Sequence, residues 1–243
     1  MHNKISPINP LKTTDNNIDI HTAENKTSSS EDTVAPYRHK RKTQARSLIV
    51  REKLVAVATP LFSEFGYDAI SVKDIESAAN LKRGSLLYHF HSKQEFWKAS
   101  ADSLFNLIKE QRHIRMAVLR DVAPLEGVAM LIRFNIRMAA QYPEIGRFIA
   151  QEARTKSWRL EYIVDTHVKP GCQSLKKYLS DALQLDDTQF VHWYYIMFSA
   201  AGTIYTYGPE CQLLFDLDCQ QEHIINAHTE ILVDMLLGKH RQV

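Results

Sequence analysis

Glycine is scarce in this chain, with only 8 among 243 residues, while long segments carry apolar residues at helical spacing. Both features favour an all-α protein over a sheet protein. Cysteine is scarce too: Cys172, Cys211 and Cys219 are odd in number and form no CxxC motif. We therefore expect reduced thiols in a cytoplasmic protein, with a redox pair between Cys211 and Cys219 as the alternative.

Signals of export, membrane insertion and catalysis are missing as well. The polar start of the chain has no apolar segment of the secretory type, and no run of about 18 apolar residues could span a membrane. The sequence has no glycine-rich phosphate loop, no GxSxG and no HExxH motif. His89 and His91 have no Cys or carboxylate at ligand spacing, so we expect no metal site. These absences predict a protein that is not an enzyme, uses no cofactor and binds no membrane.

Charge is distributed unevenly although the formal net charge is only +2. Residues 36–60 hold seven Lys or Arg and one acidic residue, whereas residues 101–243 hold fifteen Lys or Arg and seventeen acidic residues. One part of the chain is therefore suited to meet a polyanion such as nucleic acid, and the larger part is not.

The segment Ser71–Lys93 has the pattern of two short helices joined by a tight turn. Ser71 is a typical helix N-cap, and Asn80 tolerates the left-handed conformation that ends a helix. A second helix is predicted from about Arg83 to Phe90, with an apolar inner face and a basic, hydroxyl-bearing outer face. This pattern is typical of a helix-turn-helix, and the alternative is a plain pair of helices packed in an all-helical domain.

The stretch LFSEFGYDAISVKDIESAANLKRGSLLYHFHSKQEF resembles, without a gap, the signature of the TetR family of bacterial repressors. The family usually places Tyr after the Leu of the recognition helix, whereas this chain has Leu87 there and Tyr88 one position later. The resemblance implies an all-α protein with an N-terminal three-helix helix-turn-helix domain. A larger helical ligand-binding and dimerisation domain would follow it.

Candidate DNA-binding residues fall into three groups. We expect base edges or groove walls to be faced by Lys73, Arg83 and Tyr88, with Leu87 on the same outer surface. Phosphates would be held by Ser71, Ser85, His89 and Lys93. A basic arm before the first helix would reach the DNA backbone or minor groove, through Lys40, Arg41, Lys42 and Arg46. The alternative for this arm is a solvated charged segment.

The domain organisation is predicted from composition and helical period. Residues 1–36 are expected to form a disordered tail, residues 37–98 the DNA-binding domain with its basic arm, and residues 99–243 the regulatory and dimerisation domain. A helix from near Thr43 to Phe65, kinked at Pro60, should come first. A ligand cavity in the last domain would use Phe134, Arg137, Trp158, Tyr162, His167, Trp193 and Met197, each of which could instead be ordinary helical core.

The function predicted from these features is that of a sequence-specific DNA-binding transcriptional regulator. We expect a repressor that a small organic ligand releases from its operator. Its partners would be double-stranded operator DNA, a second copy of the chain in a homodimer, and a small-molecule effector. The alternative is an architectural or partner-controlled DNA-binding protein that answers to no ligand.

Overall fold

Helices make up almost all of the described part of the chain, residues 35–238 of a computed structural model, and no strand occurs in that part. For residues 35–46 and for Arg120, only the backbone is described. The prediction of an all-α protein is confirmed. The helices in chain order are α1 (Ala35–Phe65), α2 (Val72–Ala78), α3 (Ser85–Phe90), α4 (Lys93–Val118), α5 (Pro124–Gln141), α6 (Pro143–Glu152), α7 (Trp158–Ile163), α8 (Lys169–Leu183), α9 (Asp187–Thr206), α10 (Gly208–Phe215) and α11 (Glu222–Leu237).

Local capping signals start several of these helices where the sequence predicts. The Ser71 hydroxyl accepts a hydrogen bond from the Asp74 N–H at 3.2 Å, and the Asp74 carboxylate accepts one from the Ser71 N–H at 2.9 Å. This reciprocal pair is a capping box at the start of α2. The Ser92 hydroxyl accepts from the Glu95 N–H at 3.0 Å and so caps α4. Free N–H groups that would otherwise lack partners are thereby satisfied.

Two helix starts differ from the sequence expectation. Helix α1 begins at Ala35 instead of near Thr43, and it continues through Pro60. Helix α3 begins at Ser85 instead of Arg83, because Gly84 adopts a left-handed conformation with φ of 87° and ends the turn there. Arg83 therefore belongs to the turn. The predicted tail of residues 1–36 lies almost wholly outside the described residues, as do the side chains of the predicted basic arm.

Two helices of the C-terminal part have a proline in their first turn, and one irregular segment lies beside them. Gly208 and Pro209 open α10, since a proline in the first turn loses no hydrogen bond. Pro170 lies in the first turn of α8. The irregularity lies just before it, as a π-helical turn at residues 164–168 between α7 and α8.

Residues 44–238 lie within one compact unit, which has two clusters of buried apolar side chains. The first cluster joins residues of α1 to α4 with Ile145 and Phe148 of α6 and Ile163 of α7. The second joins residues of α5, α8, α9 and α11. The core beneath the helix-turn-helix is thus completed by helices from beyond residue 99, and the domain division at 98/99 remains a prediction.

Polar contacts reinforce the attachment of α6 and α7 to the N-terminal helices. The Arg159 guanidinium pairs with the buried Glu152 carboxylate at 2.7 Å and reaches Asp68, in the loop after α1, at 3.5 Å. The Gln151 side-chain amide donates to the Glu64 carbonyl at 3.2 Å. Helix α6 is therefore bonded directly to the end of α1.

Neither a membrane span nor a metal cluster can be identified in residues 35–238. No helix there is both long and apolar enough to cross a bilayer. Among the side chains that the structure describes, no group of three or more His, Cys, Asp or Glu is placed to hold a metal ion. The three cysteines are free thiols.

Phe148→Ala should lower the free energy of unfolding by about 3–5 kcal/mol, because it empties a packed site in the first cluster. Phe148 is 1% exposed and stacks on Trp97 with ring centroids 5.3 Å apart. Its neighbour Ile149 is 37% exposed, so Ile149→Ala serves as the matched control and should cost less than half as much. Urea denaturation of the three proteins measures both losses, and equal losses would contradict the assignment of Phe148 to the core.

Candidate nucleic-acid interface

Helix α3 turns two large side chains toward solvent. Leu86 and Phe90, four residues apart, are buried, which leaves Leu87 and Tyr88 on the opposite side of this short helix. Tyr88 is 78% exposed, and its ring meets the neighbouring His89 ring edge-on at 5.1 Å. The helix therefore presents an exposed surface with an aromatic hydroxyl at its centre, as the sequence predicts.

The start of α3 is held by a buried carboxylate from α2. Glu76 accepts a hydrogen bond from the Leu86 N–H at 2.9 Å, and it is almost completely buried. Gly84, the N-cap residue, has no side chain to serve this N–H, so Glu76 caps the helix from outside. Sequence reasoning missed Glu76, although its position four residues after Val72 puts it on the inward face of α2.

The end of α3 is held by α1. The Arg51 guanidinium donates to the His89 carbonyl and lies over the Phe90 ring, 4.0 Å from the centroid. The Ser47 hydroxyl lies 3.3 Å from Nδ1 of His89. A cation at the C-terminus of a helix meets its free carbonyls and the negative end of its dipole. Arg51 was also missed, since nothing in the basic start of the chain distinguishes it from its neighbours.

Two candidate phosphate ligands are engaged within the protein. The Lys93 ammonium donates to the Tyr67 carbonyl at 2.6 Å and lies 4.1 Å from the centroid of the Tyr67 ring, which leaves two N–H donors. The Ser71 hydroxyl donates its single proton to the Asp74 carboxylate at 2.6 Å. If the Ser71 hydroxyl donated to a phosphate instead, it would lose its bond to Asp74. The predicted phosphate contact of Ser71 would therefore weaken the capping box of α2.

Burial and the nearby Arg51 lower the pKa of His89. Its imidazole is therefore neutral at neutral pH and can donate one hydrogen bond, without contributing charge. Lys73 and Arg83 are exposed, and Ser85 is half-buried at the first position of α3. The DNA contacts of Lys73, Arg83 and Ser85 remain predictions. The side chains of Lys40, Arg41, Lys42 and Arg46 lie outside the described residues.

Three of the seven candidate ligand-binding residues pack beside α4. Tyr162 donates to Asp102 at 2.7 Å, and the His167 imidazole lies 2.8 Å from the same carboxylate oxygen. Burial and the bond to Asp102 raise the pKa of Tyr162 to about 12. Trp158 meets Trp97 edge-on at 5.3 Å. These residues join the π-helical turn and α7 to α4.

The other four candidates lie elsewhere. Arg137 is exposed and contacts Glu222 and Asn226 of α11 at 3.2 and 3.1 Å. Trp193 and Met197 belong to the second apolar cluster, and Phe134 is buried beneath the Arg115 guanidinium. Arg137 lies on the surface with its partners, and the predicted ligand-binding role of the seven residues stays a prediction. Trp158 and Tyr162 pack against the first apolar cluster, whereas Trp193 and Met197 belong to the second. Helical spacing places residues on faces without saying which faces meet.

An exposed apolar surface occupies the C-terminal helices. It includes a groove of about 370 Å³ between α9, α10 and α11. The surface is formed by exposed apolar side chains, namely those of Tyr195, Ile196, Tyr207, Leu213, Leu214, Phe215, Ile231 and Met235. An apolar area this rich in large side chains is typical of a contact with another protein.

Comparison with known proteins bears on this arrangement. Residues 54–99, which include α2 and α3, match the family model described as bacterial regulatory proteins, tetR family. The chain carries a TetR-family DNA-binding domain. A relative of this domain is the biofilm operon icaADBC negative transcriptional regulator IcaR of Staphylococcus epidermidis, which is 39% identical over 57 residues. That match covers 24% of this chain and 31% of IcaR, so the chain spans about a third of this relative's length.

Solved structures resemble the fold over a longer range than the TetR-family domain. AibR, crystallised with isovaleryl coenzyme A and operator DNA, has a TM-score of 0.60 and 17% identity, over 76% of this chain and 97% of AibR. FadR of Bacillus subtilis, crystallised with stearoyl-CoA, has a TM-score of 0.55 and 16% identity, over 75% of this chain and 97% of FadR. At this level of identity the likeness concerns the fold alone.

Glu76→Ala should lower the free energy of unfolding by about 1–3 kcal/mol, because the buried Leu86 N–H loses its acceptor. Glu76→Gln should recover most of this loss, since a side-chain amide oxygen can accept the same bond. Glu52→Ala, which removes an exposed acid from α1, is the control and should change the free energy by less than about 0.5 kcal/mol. Urea denaturation decides, and a Gln variant as unstable as the Ala variant would count against the capping role.

Proposed function

We propose that the protein is a sequence-specific DNA-binding transcriptional regulator. In this proposal it acts as a repressor, binds its double-stranded operator as a homodimer and is released by a small organic effector. The observation that carries the proposal is an exposed α3 that is held at both ends, by Glu76 and by Arg51, within a TetR-family domain.

A recognition helix discriminates between sequences only if its side chains have fixed positions. Base contacts select the sequence, whereas phosphate contacts position the module. In our proposal Arg83, Tyr88 and Lys73 face the bases, while Ser85, His89 and Lys93 face phosphates. The names of similar proteins support the role, because IcaR is described as a negative transcriptional regulator and AibR was crystallised with operator DNA.

Release by an effector requires a path from the body of the protein to α3. A ligand can shift the protein only toward a conformation that it binds better, and operator DNA must weaken its binding by the same factor. The stacking of Trp97 on Phe148 offers such a path, since α4 follows α3 directly and α6 belongs to the body. The bound acyl-CoA molecules of AibR and FadR support a small organic effector.

Homodimer formation would cover the exposed apolar surface of α9, α10 and α11. A twofold axis through this surface would bring its apolar side chains against the same residues of the second copy. The two recognition helices would then lie about 34–36 Å apart, or a multiple of that distance, to enter successive major grooves.

Arg83→Ala should weaken binding to the preferred site by about 1–3 kcal/mol and weaken binding to random DNA much less. The preferred site is first obtained by sequencing DNA fragments that the purified protein retains. Arg154→Ala is the matched control, because it removes the same charge from an exposed position between α6 and α7. Titrations on both DNAs test the proposal, and similar losses on both would refute base recognition by Arg83.

Ile231→Glu should convert the dimer to monomers and abolish tight operator binding, because it would bury an unpaired carboxylate between two copies. Ile114→Glu is the control: Ile114 is 62% exposed on α4, and Ile231 is 59% exposed on α11. Sedimentation velocity gives the oligomeric state of each variant. An Ile231→Glu protein that stays dimeric would exclude this surface as the dimer contact.

A further inference from the structure

Arg112 occupies an unusual position between α4 and α8. Its guanidinium lies so close to the Gly171 backbone that a Cβ at this position would collide with Nη1, Nη2 and Cζ together. All three guanidinium atoms therefore lie close against Gly171. The glycine is thus required for this placement, and any other residue there would displace the charged group.

No described residue pairs with this cation. Arg133, Arg137 and Arg159 each reach a carboxylate within the protein, at 3.1, 3.2 and 2.7 Å. Among the residues whose side chains the structure describes, none gives Arg112 a carboxylate partner or a hydrogen-bond acceptor. Burial of the guanidinium lowers the pKa of Arg112, although an arginine remains charged at neutral pH. A half-buried cation without a partner is costly to keep, so an anion that binds to it would gain a charge-assisted hydrogen bond.

Two neutral groups lie near Arg112, and one of them is aromatic. The Tyr194 hydroxyl on α9 and the Cys172 thiol on α8 are near enough to feel its charge. Burial raises the pKa of Tyr194 to about 12 and also raises the pKa of Cys172, so both groups stay protonated. The Tyr194 ring packs against Phe190 and Phe198, with centroids 5.8 and 4.5 Å apart. A ligand at Arg112 would therefore meet one positive charge beside aromatic surface.

We propose that Arg112 binds the carboxylate of a monoanionic effector whose apolar body lies against the aromatic side chains around Tyr194. This rests on the proposed function, since the effector would be the molecule that releases DNA. A guanidinium matches a carboxylate with two parallel hydrogen bonds. The nearby Lys176 is already paired with Asp187 at 2.8 Å, whereas Arg112 has no such partner among the side chains that the structure describes. That charge balance suits a monocarboxylate better than a ligand with several phosphates.

The test uses benzoate, 4-phenylbutyrate and octanoate, each beside its uncharged amide, and coenzyme A as a phosphate-rich comparison. Thermal shift and calorimetry are measured on the full chain. At least one carboxylate should raise Tm while its amide does not. Arg112→Met should weaken the binding of that carboxylate about 10- to 100-fold, the cost of one charge-assisted contact. Lys109→Met, which removes an exposed charge from the same helix, should leave the affinity for that carboxylate unchanged.

A loss of affinity in Arg112→Met must be distinguished from misfolding of that variant, and a second variant, Gly171→Ala, allows this. Arg112→Met should melt at the same temperature or higher without ligand, because it removes an unpaired half-buried cation. Gly171→Ala should displace the guanidinium and lose the same carboxylate affinity while Arg112 is still present. The proposal is overturned if no carboxylate stabilises the wild-type protein, if Arg112→Met binds the carboxylate as well as wild type, or if only coenzyme A binds.

Operator binding is measured separately on the same preparations. A wild-type protein that binds DNA but no carboxylate refutes the Arg112 site and leaves the regulator proposal standing. A wild-type protein that binds the carboxylate through Arg112 but selects no DNA sequence refutes the regulator and keeps the site. The two failures are therefore distinguishable.

Discussion

The stacking of Trp97 on Phe148 connects the two parts of the molecule. The rings lie 5.3 Å apart with an interplanar angle of 22°, and both side chains are almost fully buried. Trp97 lies in the second turn of α4, directly after the helix-turn-helix, whereas Phe148 belongs to α6. The first apolar cluster therefore cannot close without a helix from the body. Because packed interiors tolerate little change in shape, a movement of α6 must be accommodated by α4.

Helix α3 is likewise stabilised by contacts from other helices. A helix of six residues cannot be stable alone, since nucleation costs more than so few hydrogen bonds return. Glu76 satisfies its first turn, Arg51 satisfies its last, and Leu86 and Phe90 attach it to the core. The exposed residues of α3 are therefore not needed for its stability and are available for DNA contact. Stability comes from one face of the helix, and the proposed recognition comes from the other.

Much of this arrangement can be predicted from the sequence because its determinants are local. Helical period and caps locate α2 and the start of α4, and the same period would have placed Glu76 inside. The role of Gly84 as the end of the turn is local as well, but a glycine alone does not indicate which conformation it adopts. The contact of Phe148 with Trp97 and the separation of Tyr162 from Trp193 depend on how distant helices meet. Helical spacing carries no information about such long-range packing.

Hydrogen–deuterium exchange with and without operator DNA tests the central claim, that the DNA-reading helix and the body share one core. The account predicts that operator binding slows amide exchange in residues 145–152 of α6 as well as in residues 71–93. Helix α6 would be protected through its packing on α4, because the proposed DNA contacts lie on the other side of the helix-turn-helix. Protection confined to residues 71–93 would contradict the claim.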